Sequence, residues 1–107
     1  LKIVNGKLDL LNDHGGKLRT IAEKNVVDAA LSNDEKQILI TYSNGKTDLC
    51  NDYGGRKSTI AESNVVKAIF HGTDVLITLK NGDMELRNQY GGKITMVPLG
   101  TNEVKNN

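Results

Sequence analysis

The amino-acid sequence predicts an all-β protein made of a repeated unit of four short antiparallel strands. Three observations carry that prediction. A set of short markers recurs every 37 to 39 residues. Within one such interval the apolar residues follow period two and stop at Asn-Gly or Gly-Gly pairs, as strands do at tight turns. No window places apolar residues at i, i+3, i+4 and i+7, so no amphipathic helix competes with the strand reading.

The markers come first, because a repeat sets the frame for everything else. Asn5-Gly6-Lys7, Asn44-Gly45-Lys46 and Asn81-Gly82-Asp83 are 39 and 37 residues apart. An acidic residue and a leucine follow each: Asp9-Leu10, Asp48-Leu49 and Glu85-Leu86. Ten residues after each first Asn stands a Gly-Gly pair with a base behind it: Gly15-Gly16-Lys17, Gly54-Gly55-Arg56 and Gly91-Gly92-Lys93. Asn25-Val26-Val27-Asp28-Ala29 and Asn64-Val65-Val66-Lys67-Ala68 form a fourth marker. The difference in spacing falls between residues 32–36 and the shorter 71–74, at a turn, where insertions cost little.

Residues 37–42, QILITY, are apolar and β-branched and lead through Ser43 into Asn44-Gly45. Asn-Gly accepts positive φ at both central positions, which predicts a two-residue type I′ hairpin turn. Residues 47–51 are the return strand, and Asp52-Tyr53-Gly54-Gly55 the next turn. Residues 57–61 make a third strand. Glu62-Ser63 connects to a fourth at 65–70, and after the turn His71-Gly72-Thr73-Asp74 residues 75–80 complete the interval.

Residues 25–61, NVVDAALSNDEKQILITYSNGKTDLCNDYGGRKSTIA, resemble a blade of the β-propeller superfamily, similar in layout to WD-repeat and NHL-type blades. Ser32-Asn33-Asp34 matches in part the Ser-x-Asp-Gly turn of those blades, and Asn44-Gly45 and Gly55-Arg56 match their later glycine turns. The Trp-Asp dipeptide and the Gly-His signature of WD repeats are absent. The resemblance implies blades of four antiparallel strands, lettered a to d from the ring centre outward. Inner strands a, residues 25–31 and 64–70, are then expected to be buried on both faces, with Asp28 and Lys67 turned to a central channel. In this frame residues 1–22 hold strands b to d of a partial blade, 25–61 and 64–97 are blades, and 101–107 is a lone strand a. About three blades per chain fall short of the four to eight that close a ring. The expectation is a homodimer that forms one six-bladed ring, each tail strand completing the partner's first blade; the competing expectation is a piece of a longer propeller.

Composition narrows the function. The 107 residues fit one domain, and 25% charged residues with a net charge of +1 give no electrostatic reason to expect a nucleic-acid partner. No apolar run approaches the ~20 residues of a membrane helix, so no membrane partner is expected. Cys50 is the only cysteine; it is expected to pack on a strand face, and a free thiol leans to a cytoplasmic location. His14 and His71 stand in turns without a partner at ligand spacing, so neither metal nor cofactor is expected. Asp9, Asp48 and Glu85 recur at one strand position, where a hydrogen-bonding role outweighs acid–base work. His14, Tyr53 and Tyr90 share the position before each Gly-Gly, offering a ring to a ligand or packing the turn. The function expected is a non-catalytic binding or scaffolding module, its ligand at the ring centre or on the face of the Asn-Gly turns. Candidate ligand residues are His14, Tyr53, Tyr90, Asp28 and Lys67. Alternatives are a glycan-binding lectin and a hydrolase or lyase working in the central channel.

Overall fold

Eleven strands meander through residues 1–97, the residues described in the computed structural model. The first sheet contains β1 (Lys2–Val4), β2 (Lys7–Leu11) and β3 (Lys17–Ala22) in spatial order β1-β2-β3. The second holds β4 (Val26–Leu31), β5 (Gln37–Tyr42), β6 (Thr47–Asn51) and β7 (Arg56–Ala61). The third holds β8 (Val65–His71), β9 (Asp74–Leu79), β10 (Met84–Arg87) and β11 (Lys93–Val97). Every pairing is antiparallel between sequence neighbours. The second and third are the four-stranded, blade-like sheets that the repeat predicts, and the first is the three-stranded partial one. The tail strand expected at 101–107 lies outside the described residues.

Side-chain alternation explains how the sheets stack. On β5, Ile38 and Ile40 point to the first sheet and join Leu8, Leu10, Ile21, Val26 and Cys50. Leu39 points the other way and joins Leu49, Ile60, Val65, Ala68, Val75 and Ile77 between the second and third sheets. Ile38, Leu39 and Ile40 are all at most 1% exposed. A strand apolar on both faces needs a sheet on each side, and here it has one.

Burial on both faces does not extend to the inner strands. β5 and β6 are almost wholly buried, whereas β4 and β8 carry mostly half-buried or exposed positions. Each of the two is an edge strand of its sheet. Each also has a register shift in its first turn of pleat, between Val26 and Asp28 and between Val65 and Lys67. An extra residue in one strand of a pair is pushed out of the ladder, and Val27 and Val66 are accordingly 54% and 46% exposed.

The Asn-Gly turns also differ from expectation. Asn5 (φ 53) and Gly6 (φ 80) are both left-handed, and Val4 pairs directly with Lys7, a two-residue turn as predicted. At the other two turns only Gly45 (φ 87) and Gly82 (φ 93) have positive φ. There Gly45 N–H donates to Tyr42 O (2.8 Å) and Tyr42 N–H to Lys46 O (2.9 Å), with the same pattern linking Gly82, Leu79 and Asp83. These are three-residue loops with the glycine in the left-handed place that follows a type I turn. Ser43 and Lys80 are drawn into the loop because their N–H groups donate to the carbonyls of Asn25 and Asn64 at the head of the inner strands.

The turns fasten one sheet to the next. Val26 N–H donates to Gly6 O and Val65 N–H to Gly45 O, both at 3.0 Å. Asn25 (φ 66) and Asn64 (φ 71), left-handed themselves, present their backbones so closely that a Cβ on Gly6 would come 2.9 Å from Asn25 N, and one on Gly45 would press still harder on Asn64 N. At the other end of the sheets Gly54 lodges against Ile21 O and Gly91 against Thr59 O and Ile60 O. Gly45→Ala therefore combines a left-handed strain with a backbone collision, and should lower unfolding stability in urea by about 2–4 kcal/mol. Gly72→Ala, with positive φ (+64) but, among the described residues, nothing within 4 Å, should lower it by only about 1 kcal/mol.

Candidate functional site

The meander puts the β4–β5 and β8–β9 turns at the same end of the stack as the β2–β3, β6–β7 and β10–β11 turns. A groove of about 420 Å³ opens there, at the junction of the second and third sheets. Ser32, Asn33, Asp34 and Gln37 line one wall, Phe70, Gly72 and Thr73 the other, and Gln89 contributes from the β10–β11 turn. The sequence directs attention to the Asn-Gly end, where a smaller cavity of about 270 Å³ lies beside Asn64, Leu79, Lys80 and Asn81. The larger groove is at the opposite end.

The first wall is rigid for local reasons. Ser32 Oγ donates to Asp34 Oδ1 (2.6 Å) and accepts from Gln37 N–H (3.0 Å), while Lys36 N–H donates to the same carboxylate oxygen (3.0 Å). Glu35 closes the loop in a left-handed conformation (φ 61), its N–H on Ser32 O. The hydroxyl of Ser32, helped by the Lys36 amide, holds the Asp34 carboxyl below its ordinary range, so Asp34 stays charged. The groove thus offers a fixed negative charge, two amides in Gln37 and Gln89, and the half-buried ring of Phe70.

His14, Tyr53 and Tyr90 occupy equivalent places on this same end, one on each sheet. The frame behind them is a residue that the sequence reading passed over. Asn12, Asn51 and Asn88 each accept through Oδ1 from two backbone amides, those of His14 and Gly16, Tyr53 and Gly55, and Tyr90 and Gly92, at 2.8–2.9 Å. The signal was present as an Asn four residues before each second glycine. Tyr53 lies under the Arg19 guanidinium of the preceding sheet, 4.0 Å from carbon to ring centroid. Arg19 also donates to Asp52 O (3.0 Å). Tyr90, beside Gln89, is 77% exposed.

Asp28 and Lys67 hold one position on successive inner strands and meet different surroundings. Asp28 Oδ2 accepts from Ala68 N–H of the next inner strand (3.4 Å). Lys67 borders a cavity of about 140 Å³ with Ile69, Leu76, Thr78 and Met84 on the outer face of the third sheet. The structure does not bring the two together with the three turn residues; they belong to different parts of the stack.

The repeated acids have partners. Thr20 Oγ1 donates to Asp9 and Thr59 Oγ1 to Asp48, each at 2.9 Å. In the third sheet Met96 replaces the threonine, and Glu85 is held instead by Arg87 at 2.8 and 3.0 Å. Arg87 also donates to Ile60 O and Gly91 O. Glu85 is only 8% exposed, so loss of the guanidinium strands a charge in a poorly solvated place. Cys50 faces the first sheet at 2% exposure. Burial, and after it the Asp48 carboxylate, pushes its thiol from 9.0 to about 11.

Against this geometry the comparisons with known proteins can be set. No family model and no curated protein matches the chain. Solved structures do, and β-propeller proteins are among them. BamB from Moraxella catarrhalis superposes with a TM-score of 0.70 at 11% identity over 90% of this chain and 30% of its own. The β-propeller domain of Cps50 (Swd1) from Myceliophteria thermophila gives 0.68 at 16% identity, over 95% and 36%. PorZ of the Porphyromonas gingivalis type-IX secretion system gives 0.57 at 16% identity, over 89% and 15%. The chain is built of β-propeller blades, and it spans about a third of the length of the first two proteins it resembles.

Two outcomes follow from the buried groups. Arg87→Leu should cost about 3 kcal/mol of stability in urea unfolding. Adding Glu85→Asp and Met96→Thr, which rebuilds the Asp–Thr pair of the other sheets, should recover most of it. In the native protein Cys50 should resist a thiol-specific reagent at pH 8 and react at once in denaturant. A thiol whose pKa is raised by folding stabilises fully below the unfolded value; its contribution should hold to about pH 9 and drain away as pH rises toward 11.

Proposed function

We propose that the chain is a non-catalytic binding module of the β-propeller type, and that it holds an extended polypeptide segment across the turn-face groove. The groove between Ser32–Gln37 and Phe70–Gln89 is the observation that supports this reading. Its walls hold a fixed carboxylate, two amides and an aromatic ring, which suits a peptide with a basic side chain lying along Phe70. Tyr53 and Tyr90 stand on the same face and extend the contact surface, with His14 at the equivalent turn of the first sheet. Asp28 and Lys67 are secondary candidates along the inner strands. A role within an assembly accords with PorZ being a surface component of a secretion system.

A glycan ligand is the second reading, favoured by the exposure of Tyr53 (69%) and Tyr90 (77%), since open rings stack on sugar faces. A random-peptide display library panned on the 107-residue chain, run beside a glycan array, separates the two. Enriched peptides carrying Lys or Arg, with affinity reduced at least tenfold by Gln37→Arg or Gln89→Arg, support the peptide reading. Glycan hits lost on Tyr90→Ala move the assignment to a lectin. Ligands that bind all these variants as tightly as the parent overturn the groove as the site.

We further propose that copies of this chain complete a ring by association, two copies supplying six blades. The outer face of the third sheet, with Ile69, Leu76 and Met84, supports it, because a stacked blade otherwise leaves such a face in water. Sedimentation equilibrium of the chain should give twice the monomer mass; a stable monomer overturns this part.

A further inference from the structure

We infer that the contact between copies is made by the Gly15 turn of one chain seated on the β11 edge of another, repeating the junction that joins sheets within the chain. This rests on the ring-forming reading above. Two junctions within the chain define the pattern. Gly54 sits on Ile21 O and Gly91 on Ile60 O of the sheet before. The side chains at the matching positions of that sheet, Arg19 and Ser58, donate to the carbonyls of Asp52 and Gln89 in the same turns, at 3.0 and 2.6 Å.

Among the described residues each half of a third junction is present and unmade. Gly15 is the first-sheet equivalent of Gly54 and Gly91, with the same left-handed backbone (φ +83), and among the described residues nothing lies within 4 Å of where its Cβ would be. On the third sheet Thr95 and Val97 occupy the places of Ser58 and Ile60. Thr95 is exposed and turns its hydroxyl back to Met96 O at 3.2 Å.

The outer face of the third sheet is also the right kind of surface. The register aligns Ile69 with Leu76, and Leu76 with Leu86, as it aligns Ala30 with Leu39, and Leu39 with Leu49, in the second sheet. That second-sheet face is the one the third sheet covers. A second copy presenting its first sheet supplies the missing cover and brings Gly15 to Val97. The contact is heterologous, one surface meeting a different one, and it closes when the ring closes.

Gly15 and Gly72 make a matched pair for the test. Both have positive φ and, among the described residues, open space around the Cβ position, so alanine strains both alike, but only Gly15 lies at the proposed contact. Sedimentation equilibrium of the full chain should show Gly72→Ala associating as the parent does and Gly15→Ala at least tenfold more weakly. Ile69→Glu, at a 41% exposed position of the receiving face, should weaken association likewise while circular dichroism stays native. Equal association of Gly15→Ala and Gly72→Ala, or of Ile69→Glu and the parent, overturns this contact and leaves the ring-forming reading standing. A parent chain that stays monomeric at several hundred micromolar overturns both.

Discussion

Ile38, Leu39 and Ile40 are consecutive, and none is more than 1% exposed. On a strand, neighbours in sequence point to opposite faces. One packed face can hide only alternate residues, so these three demand sheets on both sides of β5. That requirement fixes the middle sheet between two others and makes the blade stack the smallest arrangement in which the segment is stable. Each of the three side chains contributes about 1.5–3 kcal/mol by leaving water, and the contribution depends on the neighbouring sheets being in place. The glycine turns follow from it. Sheets stacked at that closeness bring turn against strand, and at Gly45, Gly54 and Gly91 there is no room for a Cβ.

Much of the fold was legible because the repeat is written in turn residues. Gly54 and Gly91 mark the β6–β7 and β10–β11 turns, and Asn25 and Asn64 the entry to each inner strand, where a left-handed residue is required. Less legible was anything set by one strand acting on its neighbour. The widening of the Asn44-Gly45 turn depends on a hydrogen bond from Ser43 to Asn25 across the sheet, which no local pattern encodes. The bulges at Val27 and Val66 were hidden for a similar reason, since an apolar pair reads alike whether it is in register or displaced. Repetition singles out Tyr53 and Tyr90, which stand on the same end as the groove but do not line it. It does not single out Gln37, Phe70 and Gln89, because they come from three different turns or strand ends and share no motif.

The third sheet shows how a repeat departs from its own rule without losing the fold. Met96 removes the hydroxyl that Asp9 and Asp48 enjoy in the other sheets, and the longer Glu85 reaches Arg87 instead. Arg87 then takes on a second task, bonding Ile60 O of the neighbouring sheet and Gly91 O of its own turn. A carboxylate–hydroxyl bond between neighbouring strands has become an ion pair within β10, whose guanidinium also reaches the second sheet. Arg19 does related work at the other junction, holding Asp52 O while lying over Tyr53. Arginine is suited to both places because its planar fork can serve several acceptors at once.

The turns built on Asn12, Asn51 and Asn88 separate what holds a loop from what the loop displays. One side-chain oxygen and two glycines satisfy the loop geometry, so the turn itself does not depend on which side chains stand at its two tip positions. Those tips read Asp-His, Asp-Tyr and Gln-Tyr in the three copies. Such a loop is a mount with an exchangeable head: its tip can drift in sequence, acquire a new specificity and lose it again while the blade beneath stays folded.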